Sequence, residues 1–466
     1  MAGRCATCER LQAENSALKA RAAELESALA AARKNSQTSS KPPSSDIVKP
    51  PNKNRRGRPR KRKRGGQPGH PRHERPPFEP EQINTIWEYS LDACPDCGGA
   101  LKEAPAAPRV IQQAEIPETP IHVEEHRGLA LLCGKCRKVH YTPLPEEVVR
   151  AGLVGPRLTA LIAYLKGPCH ASFSTIRKFL RDVIGLRISR GQLAKVVQKV
   201  SHSLQDSYEE LLQLLPVQKL LNIDETGHPD QAQRFWTWAF RAQLFTLYRI
   251  DPSRGSDVLI EVLGQQFNGL LGCDYFSAYR KYMKDFDVRV QFCLAHLIRD
   301  VKFLVEHPQP ANRRYGELLL GHLRTLFHTI HQRDTYSSPE MFRRTLKAIR
   351  NNLVADAILQ LPKTRPAANL ADRFVEHMDS YFRFISEPAI EPTNNSAEQA
   401  IRFVAIHRRM TQGTRGAAGQ RWCERIWTVI QTCAQQGRSA FQFLVEAVSA
   451  HFRWDPPPSL LPADTS

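Results

Sequence analysis

Apolar positions along this chain change period several times, and each change marks an element. Between residues 9 and 34, Leu11, Leu18 and Leu25 recur every seven residues, the pattern of a helix with a leucine seam. If these are d positions, Cys8, Asn15, Ala22 and Leu29 fall at a, and an Asn at a favours a parallel dimer in fixed register. So short a coil is marginal alone, and packing of this helix on the protein's own body is the other reading. Residues 35–82 lose the pattern. Residues 83–145 show only short β-like runs. From 146 to 215 apolar residues return at helical spacing in LTALIAYLK, FSTIRKFLRDV and GQLAKVVQKVSHSL. KLLNIDET, FWTWAF, LFTLYRI, LLGCDY and VRVQFC then read as strands, with DVLIEVL helical between the third and fourth. Residues 307–390 are helical with no strand signal, and 394–450 give two helices around the Gly-rich turn QGTRGAAG. The end of the chain, 451–466, reads as a disordered tail.

Three strands, a helix, a strand, then a further strand and helix form an RNase H-like order, which predicts an α/β catalytic domain over 216–450 with a helical insertion at about 307–390. In that fold the first and fourth strands lie side by side at the sheet centre. Asp224 follows the apolar run LLNI and Asp274 follows LLGC, so both project from one edge of the sheet. Two carboxylates there repel each other unless a cation neutralises them. A hard divalent ion, Mg²⁺ or Mn²⁺, suits such oxygens. Two ions roughly 3.5–4 Å apart can activate the attacking oxygen and stabilise the leaving one in phosphodiester chemistry. The third carboxylate comes from a later helix, in EPTNNSAEQAIRFVAIHRR. There Pro392 and Thr393 or Asn394 mark the start, and Glu398 falls in the first turn or two. Asn394, Glu398 and Arg402 are four apart, so a metal ligand is flanked on one face by groups able to contact DNA phosphate, and Arg408 and Arg409 continue the basic character. An Asp at a strand end is ordinarily a turn or cap residue, and a helical Glu is ordinarily solvated. The combination, in this element order on a basic chain, points to metal.

Composition adds the partner. A net charge of +19 over 466 residues favours a polyanion, although charge alone does not separate DNA, RNA and membrane surface. No apolar run approaches the ~18 residues of a membrane span. The first residues turn polar at once, so the expectation is a cytoplasmic, nucleoid-associated protein with no membrane partner. Residues 35–82 read as a disordered linker, with ten prolines between Pro42 and Pro80. Within it, residues 53–75 carry eleven Lys/Arg against one acid, Glu74. Arg56-Gly57-Arg58-Pro59, followed by Arg60, Lys61 and Arg62, is either an AT-hook-like minor-groove reader or a polybasic linker, and in both readings it contacts nucleic acid. Residues 173–200 fit a helix-turn-helix in a helical DNA-binding region at 146–215. Arg190, Gln192, Lys195 and Lys199 then line one side of the second helix, and ordinary packed helices with solvated basic faces are the alternative. Of eleven cysteines, Cys94-x2-Cys97 and Cys133-x2-Cys136 pair as ligands of one closed structural zinc in a ribbon-like module at 83–145. The 35 residues between the pairs exceed the spacing of a ribbon, which an enlarged loop absorbs. Cys5-x2-Cys8 has no second pair nearby and reads as incidental.

NIDETG (222–227), GCDYFSAY (272–279), CLAHLIRD (293–300) and NNSAEQAIR (394–402) resemble transposases of the insertion-sequence-66 family, within the DDE group. RGGQPGH (64–70), the cysteine pairs and the Gly-rich stretch after Glu398 match the same layout, so the likeness runs from the N-terminal helix to about residue 445. It implies that Asp224, Asp274 and Glu398 are the DDE residues, that the segment between Cys293 and Glu398 is an insertion, and that the chain cleaves DNA at element ends and transfers the freed 3′-hydroxyl to target DNA. A homo-oligomer and helper proteins from the same element are expected partners. Cys293-x2-His296 resembles a motif found after the second Asp in several DDE families. The pair either binds metal or simply packs, and His296 is a candidate neighbour of the ligands. A nuclease of the same fold and a noncatalytic DNA-binding protein derived from a transposase are the rival readings.

Overall fold

A computed structural model describes residues 6–35, 38, 76–101, 108–118, 120–231 and 233–462. The linker residues Arg56, Arg58, Arg60, Lys61 and Arg62 lie outside the described residues. The chain divides into two units, residues 51–124 and residues 1–50 with 125–466. Described residues of the first unit form one short helical turn, Pro80–Gln82, and no strand. Its cross-link is Gln112, whose Oε1 accepts the Phe78 N–H at 2.6 Å while its Nε2 donates to the Phe78 carbonyl at 3.1 Å. Ile86, Trp87, Tyr89 and Ile111 are exposed.

The second unit opens with α1 (Ala6–Ala32). A two-strand hairpin follows, β1 (Ala130–Leu132) with β2 (Val139–Tyr141), antiparallel with Leu131 opposite His140. Next come α2 (Glu146–Ala151) and α3 (Pro156–Lys166). Residues 146–166 contain an 18-residue window of mean hydropathy 1.4, long and apolar enough to cross a membrane by length and composition. The stretch is nonetheless broken by Gly152, at φ 70°, and α3 buries Thr159, Ala160, Ile162 and Ala163 inside the protein. α4 (Phe173–Phe179) runs into a wide turn at Leu180–Ile184 and stops at Gly185, whose φ of 82° suits glycine. α5 (Arg190–Ser203) starts on a capping box in which Ser189 and Gln192 exchange side-chain bonds with each other's backbone N–H. α6 (Gln205–Leu214) leads to the sheet.

The five strands are β3 (Leu220–Asp230), β4 (Gln233–Arg241), β5 (Thr246–Asp251), β6 (Leu270–Cys273) and β7 (Arg289–Phe292), in spatial order β5-β4-β3-β6-β7. The first three form an antiparallel meander, and β6 and β7 add in parallel. This is the predicted RNase H-like order, with the first and fourth strands adjacent. The parallel additions need crossovers. α7 (Ser256–Leu263) makes the first, as predicted. The second is α8 (Ser277–Phe286), absent from the sequence expectation although Phe276, Tyr279, Tyr282, Met283 and Phe286 recur at helical spacing.

After β7 come α9 (Leu294–Val305), the three insertion helices α10 (Pro310–His331), α11 (Pro339–Leu359) and α12 (Arg365–Phe382), then α13 (Asn395–Thr411), α14 (Ala417–Gln435) and α15 (Ala440–Arg453). Three helices, not two, follow the insertion. α14 covers the edge strand β5 with a polar ladder. Glu424 Oε1 accepts the Ile250 N–H (2.6 Å), Thr428 Oγ1 that of Tyr248 (3.1 Å) and Thr432 Oγ1 that of Thr246 (3.2 Å). Four helical residues rise ~6 Å and two strand residues ~6.6 Å, so the two repeats keep step. An edge left bare would invite another strand. α15 packs on α2, α3 and α5, and Arg425 of α14 donates to the Ser201 carbonyl at 2.8 Å, so the helices before and after the sheet share a core. The described part of the tail, as far as Pro462, is not loose either. Leu460 is fully buried, its carbonyl accepts from Gln436 Nε2 at 2.8 Å, and Ser207 Oγ donates to the Pro458 carbonyl at 2.8 Å. The apolar Leu460 and Leu461 after the prolines anchor it.

Candidate active site

Asp224 lies at a fork rather than at a strand end. β3 continues with β4 as far as Asp230, but its pairing with β6 runs only from Leu220–Leu270 to Asn222–Gly272. Continued by two residues, that register sets Asp224 opposite Asp274, on the same face. β6 ends because Asp274 Oδ1 accepts the Phe276 N–H at 2.8 Å, a turn that leads into α8. Gly272 is needed here, since a Cβ would strike the Asn222 side chain. Asn222 Nδ2 in turn donates to Ser396 Oγ at 2.9 Å, at the start of α13.

Glu398 reaches the site because the N-terminus of α13 is stitched to the sheet. Asn394 Nδ2 donates to the Ile223 carbonyl at 2.7 Å, the Asn394 N–H to Cys293 Sγ at 3.1 Å, and the Leu294 N–H to the Pro392 carbonyl at 2.9 Å. Asn394 is thus a tether, not the DNA contact expected from its spacing. It is 2% exposed, and its side chain caps no helical N–H because the β3 carbonyl takes it. Arg408 is also turned inward, donating to the Gly227 carbonyl and to Thr226 Oγ1, which ties the far end of α13 to β3. Arg402 and Arg409 are exposed on α13, and Arg190 and Lys195 are exposed on α5. Gln192 is taken by its cap, and Lys199 donates to the carbonyls of Arg150 (2.6 Å) and Ala151 (3.1 Å).

Electrostatically the site is a crowded set of acids. Burial pushes Asp224 well above the usual carboxylate range, with Glu225, Asp274 and Glu398 adding to the rise. Burial raises Asp274 to about 7, and Glu225 adds to it. Such a cluster favours protons or cations, and its hard oxygens are the donor type that divalent metal takes, although donor atoms of Asp224, Asp274 and Glu398 do not all come within 4.8 Å of one another. Glu225 was missed from sequence. Strand alternation turns it to the other face, where Arg254 donates to its Oε1 through Nε (2.9 Å) and Nη2 (2.7 Å), and Tyr279 donates to its Oε2. The tandem Asp-Glu was the signal. Arg299 was also missed, one helical turn after His296. Its Nη2 donates to Glu398 Oε1 at 3.1 Å and to His296 Nε2 at 2.9 Å. Burial, then Arg299, push His296 down to about 3, so it is neutral at pH 7 with its proton on Nδ1, 3.5 Å from Glu398 Oε1. Donor atoms of Cys293, His296 and Glu398 lie within 4.8 Å of one another. Burial pushes the Cys293 thiol up to about 11, and that sulfur already accepts the Asn394 N–H, which fits the packed reading of the pair.

The two cysteine knuckles, each taken by itself, have the same backbone. In one, the Cys94 N–H donates to the Gly99 carbonyl (2.9 Å) and the Gly98 N–H to the Cys94 carbonyl (2.8 Å), with Gly98 at φ 71°. In the other, the Cys133 N–H donates to the Lys138 carbonyl (2.9 Å) and the Arg137 N–H to the Cys133 carbonyl (2.9 Å), with Arg137 at φ 56°. Backbone N–H groups hold Cys94 and Cys133 below the usual thiol range.

Comparison with known proteins agrees with this geometry. Residues 4–76 match a family of unknown function (DUF6444), and residues 151–421 match the Transposase IS66 family. Two uncharacterized proteins of Sinorhizobium fredii (strain NBRC 101917 / NGR234) are similar. The protein y4qI is 24% identical over 336 residues, 66% of this chain and 61% of the relative. The protein y4hP is 24% identical over 379 residues, 73% of this chain and 67% of the relative. The chain therefore spans about three-fifths to two-thirds of the length of these relatives. The transposase match covers more than half of the chain and takes in the whole sheet and Glu398, and the chain belongs to the IS66 family of transposases.

Proposed function

We propose that the protein is a DDE transposase that cuts phosphodiester bonds at the ends of its element and joins the freed 3′-hydroxyl to target DNA. The observation that carries this is the fork at Asp224. Continued two residues past its last pair, the β3–β6 register would set Asp224 opposite Asp274, and α13 is tethered so that Glu398 lies close enough to raise Asp224. Asp224, Asp274 and Glu398 would hold two Mg²⁺ or Mn²⁺ ions, which when bound activate the attacking oxygen and stabilise the leaving one. Arg299, itself held by His296 Nε2, orients the Glu398 carboxylate, Arg254 and Tyr279 fix Glu225 beneath the site, and Asn394 and Arg408 lock the two ends of α13 to β3. Both chemical steps are in-line displacements at phosphorus, so one carboxylate centre serves both.

DNA contacts in this reading come from Arg402 and Arg409 beside Glu398, from Arg190 and Lys195 on the second helix of the helix-turn-helix-like pair, and from the basic linker. We propose one structural zinc for the ribbon-like module, on the thiolate chemistry of each knuckle. Double-stranded DNA, further copies of the chain and helper proteins are its partners, and the bacterial cytoplasm its setting. The test is an assay on labelled duplex carrying the ends that flank the gene. With Mg²⁺ it should give nicks and joined products, and a chelator should abolish both. Nicks without joined products would make the protein a nuclease. DNA binding with no metal-dependent cleavage would make it a noncatalytic regulator.

A further inference from the structure

The edge of the sheet that carries Asp224 and Asp274 also carries a cluster of aromatic rings and arginines. β3, β5 and β6 run toward this edge, and β4, running the other way, begins there, so Trp236 near the start of β4 and the loop after β5 stand beside the fork. Arg254 lies in that loop. Its guanidinium carbon is 3.9 Å from the centre of the Phe276 ring, two residues past Asp274, and 4.5 Å from that of Trp236. Arg234 lies over the same Trp236 at 4.6 Å. The loop is fixed in place. Asp251 Oδ1 accepts the Ser253 N–H at 2.8 Å, the Ser253 carbonyl accepts Trp238 Nε1 at 3.2 Å, and Ser253 Oγ donates to Asp257 Oδ1 at 2.8 Å.

A staple between strands accounts for Nε and Nη2 of Arg254, which both go to Glu225. It does not account for the rest. The Glu225 side chain is 2% exposed while that of Arg254 is 37% exposed, and Arg254 Nη1 has no hydrogen-bond partner among the described residues. Arg234 is exposed and has no acid partner among the described residues. A surface arginine ordinarily has much rotamer freedom to lose when it binds, and stacking on a ring removes that freedom beforehand. Burial and Glu225 raise Asp274 and Arg254 acts against them, so the charge of Arg254 is felt where the chemistry is. Two cations are therefore held in advance beside acids that would otherwise repel a phosphate.

We propose that Arg254 and Arg234, held on Trp236, form a phosphate clamp for the DNA strand cut at the fork. The open Nη1 of Arg254 takes a non-bridging oxygen of a phosphate beside the cleaved bond, and Arg234 takes that of a second phosphate further along the strand. The choice of ligand rests on the transposase reading above. The clamp offers only charge and guanidinium N–H groups to the backbone, so it positions the strand without reading its sequence.

The experiment uses the full chain and labelled element ends in which one phosphate at a time is replaced by a neutral methylphosphonate, stepped across the cleaved bond. Binding and cleavage are read separately. The wild type should lose end binding at one link beside that bond and at a second link nearby. Arg234→Gln, which breaks no ion pair, should keep the wild-type thermal transition. It should bind the unmodified end roughly tenfold more weakly whatever the sequence, with a salt slope flatter by roughly 0.9. At the second link it should lose nothing more. Arg254→Lys keeps a cation for Glu225 but not the fork, and it should lose little more at the first link, because one ammonium does not serve Glu225 and a phosphate together. Variants that lose binding by the wild-type factor at every link have no phosphate on these arginines and overturn the proposal. So does a wild type indifferent to all of the links. A protein that shows the coupling but never cuts keeps the clamp and removes the transposase reading, and one that cuts without the coupling does the opposite.

Discussion

The sheet domain and the cysteine knuckles hold themselves together by different means. Around the sheet, Trp238, Phe240, Tyr248, Phe292 and Trp427 are fully buried, and each such side chain contributes roughly 1.5–3 kcal/mol. Many of its polar groups are matched as well, as in the ladder from α14 to β5, although Trp427 Nε1 and Asn394 Oδ1 have no partner among the described residues. The knuckle segments have no such core among their described residues. Trp87, Tyr89 and Ile111 near one knuckle, and Leu131, Val139 and Tyr141 near the other, are exposed, and the strands described there are three residues long. What the two knuckles do possess is backbone N–H groups aimed at the Cys94 and Cys133 sulfurs. The zinc proposed for these thiols would supply the order that a buried core supplies in the sheet.

That contrast predicts its own largest effect. Protein purified without chelators should carry about one zinc per chain, and Cys97→Ser or Cys133→Ser should lose it. Calorimetry should then show the sheet domain melting as before, while limited proteolysis cuts the knuckle segments faster. A folded, zinc-free wild type by elemental analysis would remove the metal from this account. A smaller effect tests the other side of the comparison. Thr428→Val keeps the shape of α14 but leaves the buried Tyr248 N–H without its acceptor, at a cost of about 1–3 kcal/mol. The denaturant midpoint should fall accordingly, with zinc content unchanged. No fall would mean the ladder adds nothing to the edge strand.

How much of this was legible in the sequence follows from the range of each interaction. Strands β3 to β7 and helix α7 show in local alternation, and Asp224 and Asp274 show because each follows an apolar run. The insertion and Glu398 show as periodic or capped helix. The partners of those acids do not, because they are set by contacts across the fold. Asn394 shares a helical face with Glu398 in sequence, yet the Ile223 carbonyl on β3 takes its side chain. Arg408 continues a basic run, yet Gly227 and Thr226 claim it. Arg254 pairs with Glu225 across 29 residues and Arg299 with Glu398 across 99, distances over which no local pattern extends. The tail after Trp454 reads as loose for the same reason, since Leu460 finds its pocket only once α6 and α14 are in place.

The assignment rests on three carboxylates, and one measurement reaches it most directly. Asp224→Asn, Asp274→Asn and Glu398→Gln each keep size and hydrogen-bonding shape while removing charge that a hard cation requires. The variants should be assayed on a labelled element end with Mg²⁺ or Mn²⁺, scoring nicks and joined products separately, with folding and end binding checked alongside. The account predicts that each variant loses both products while folding and binding the end nearly as the wild type does. Near-wild-type activity in Glu398→Gln, with activity lost instead in a variant of the exposed Glu391, would mean that the third carboxylate is misassigned. Full cleavage by all three variants would contradict the account.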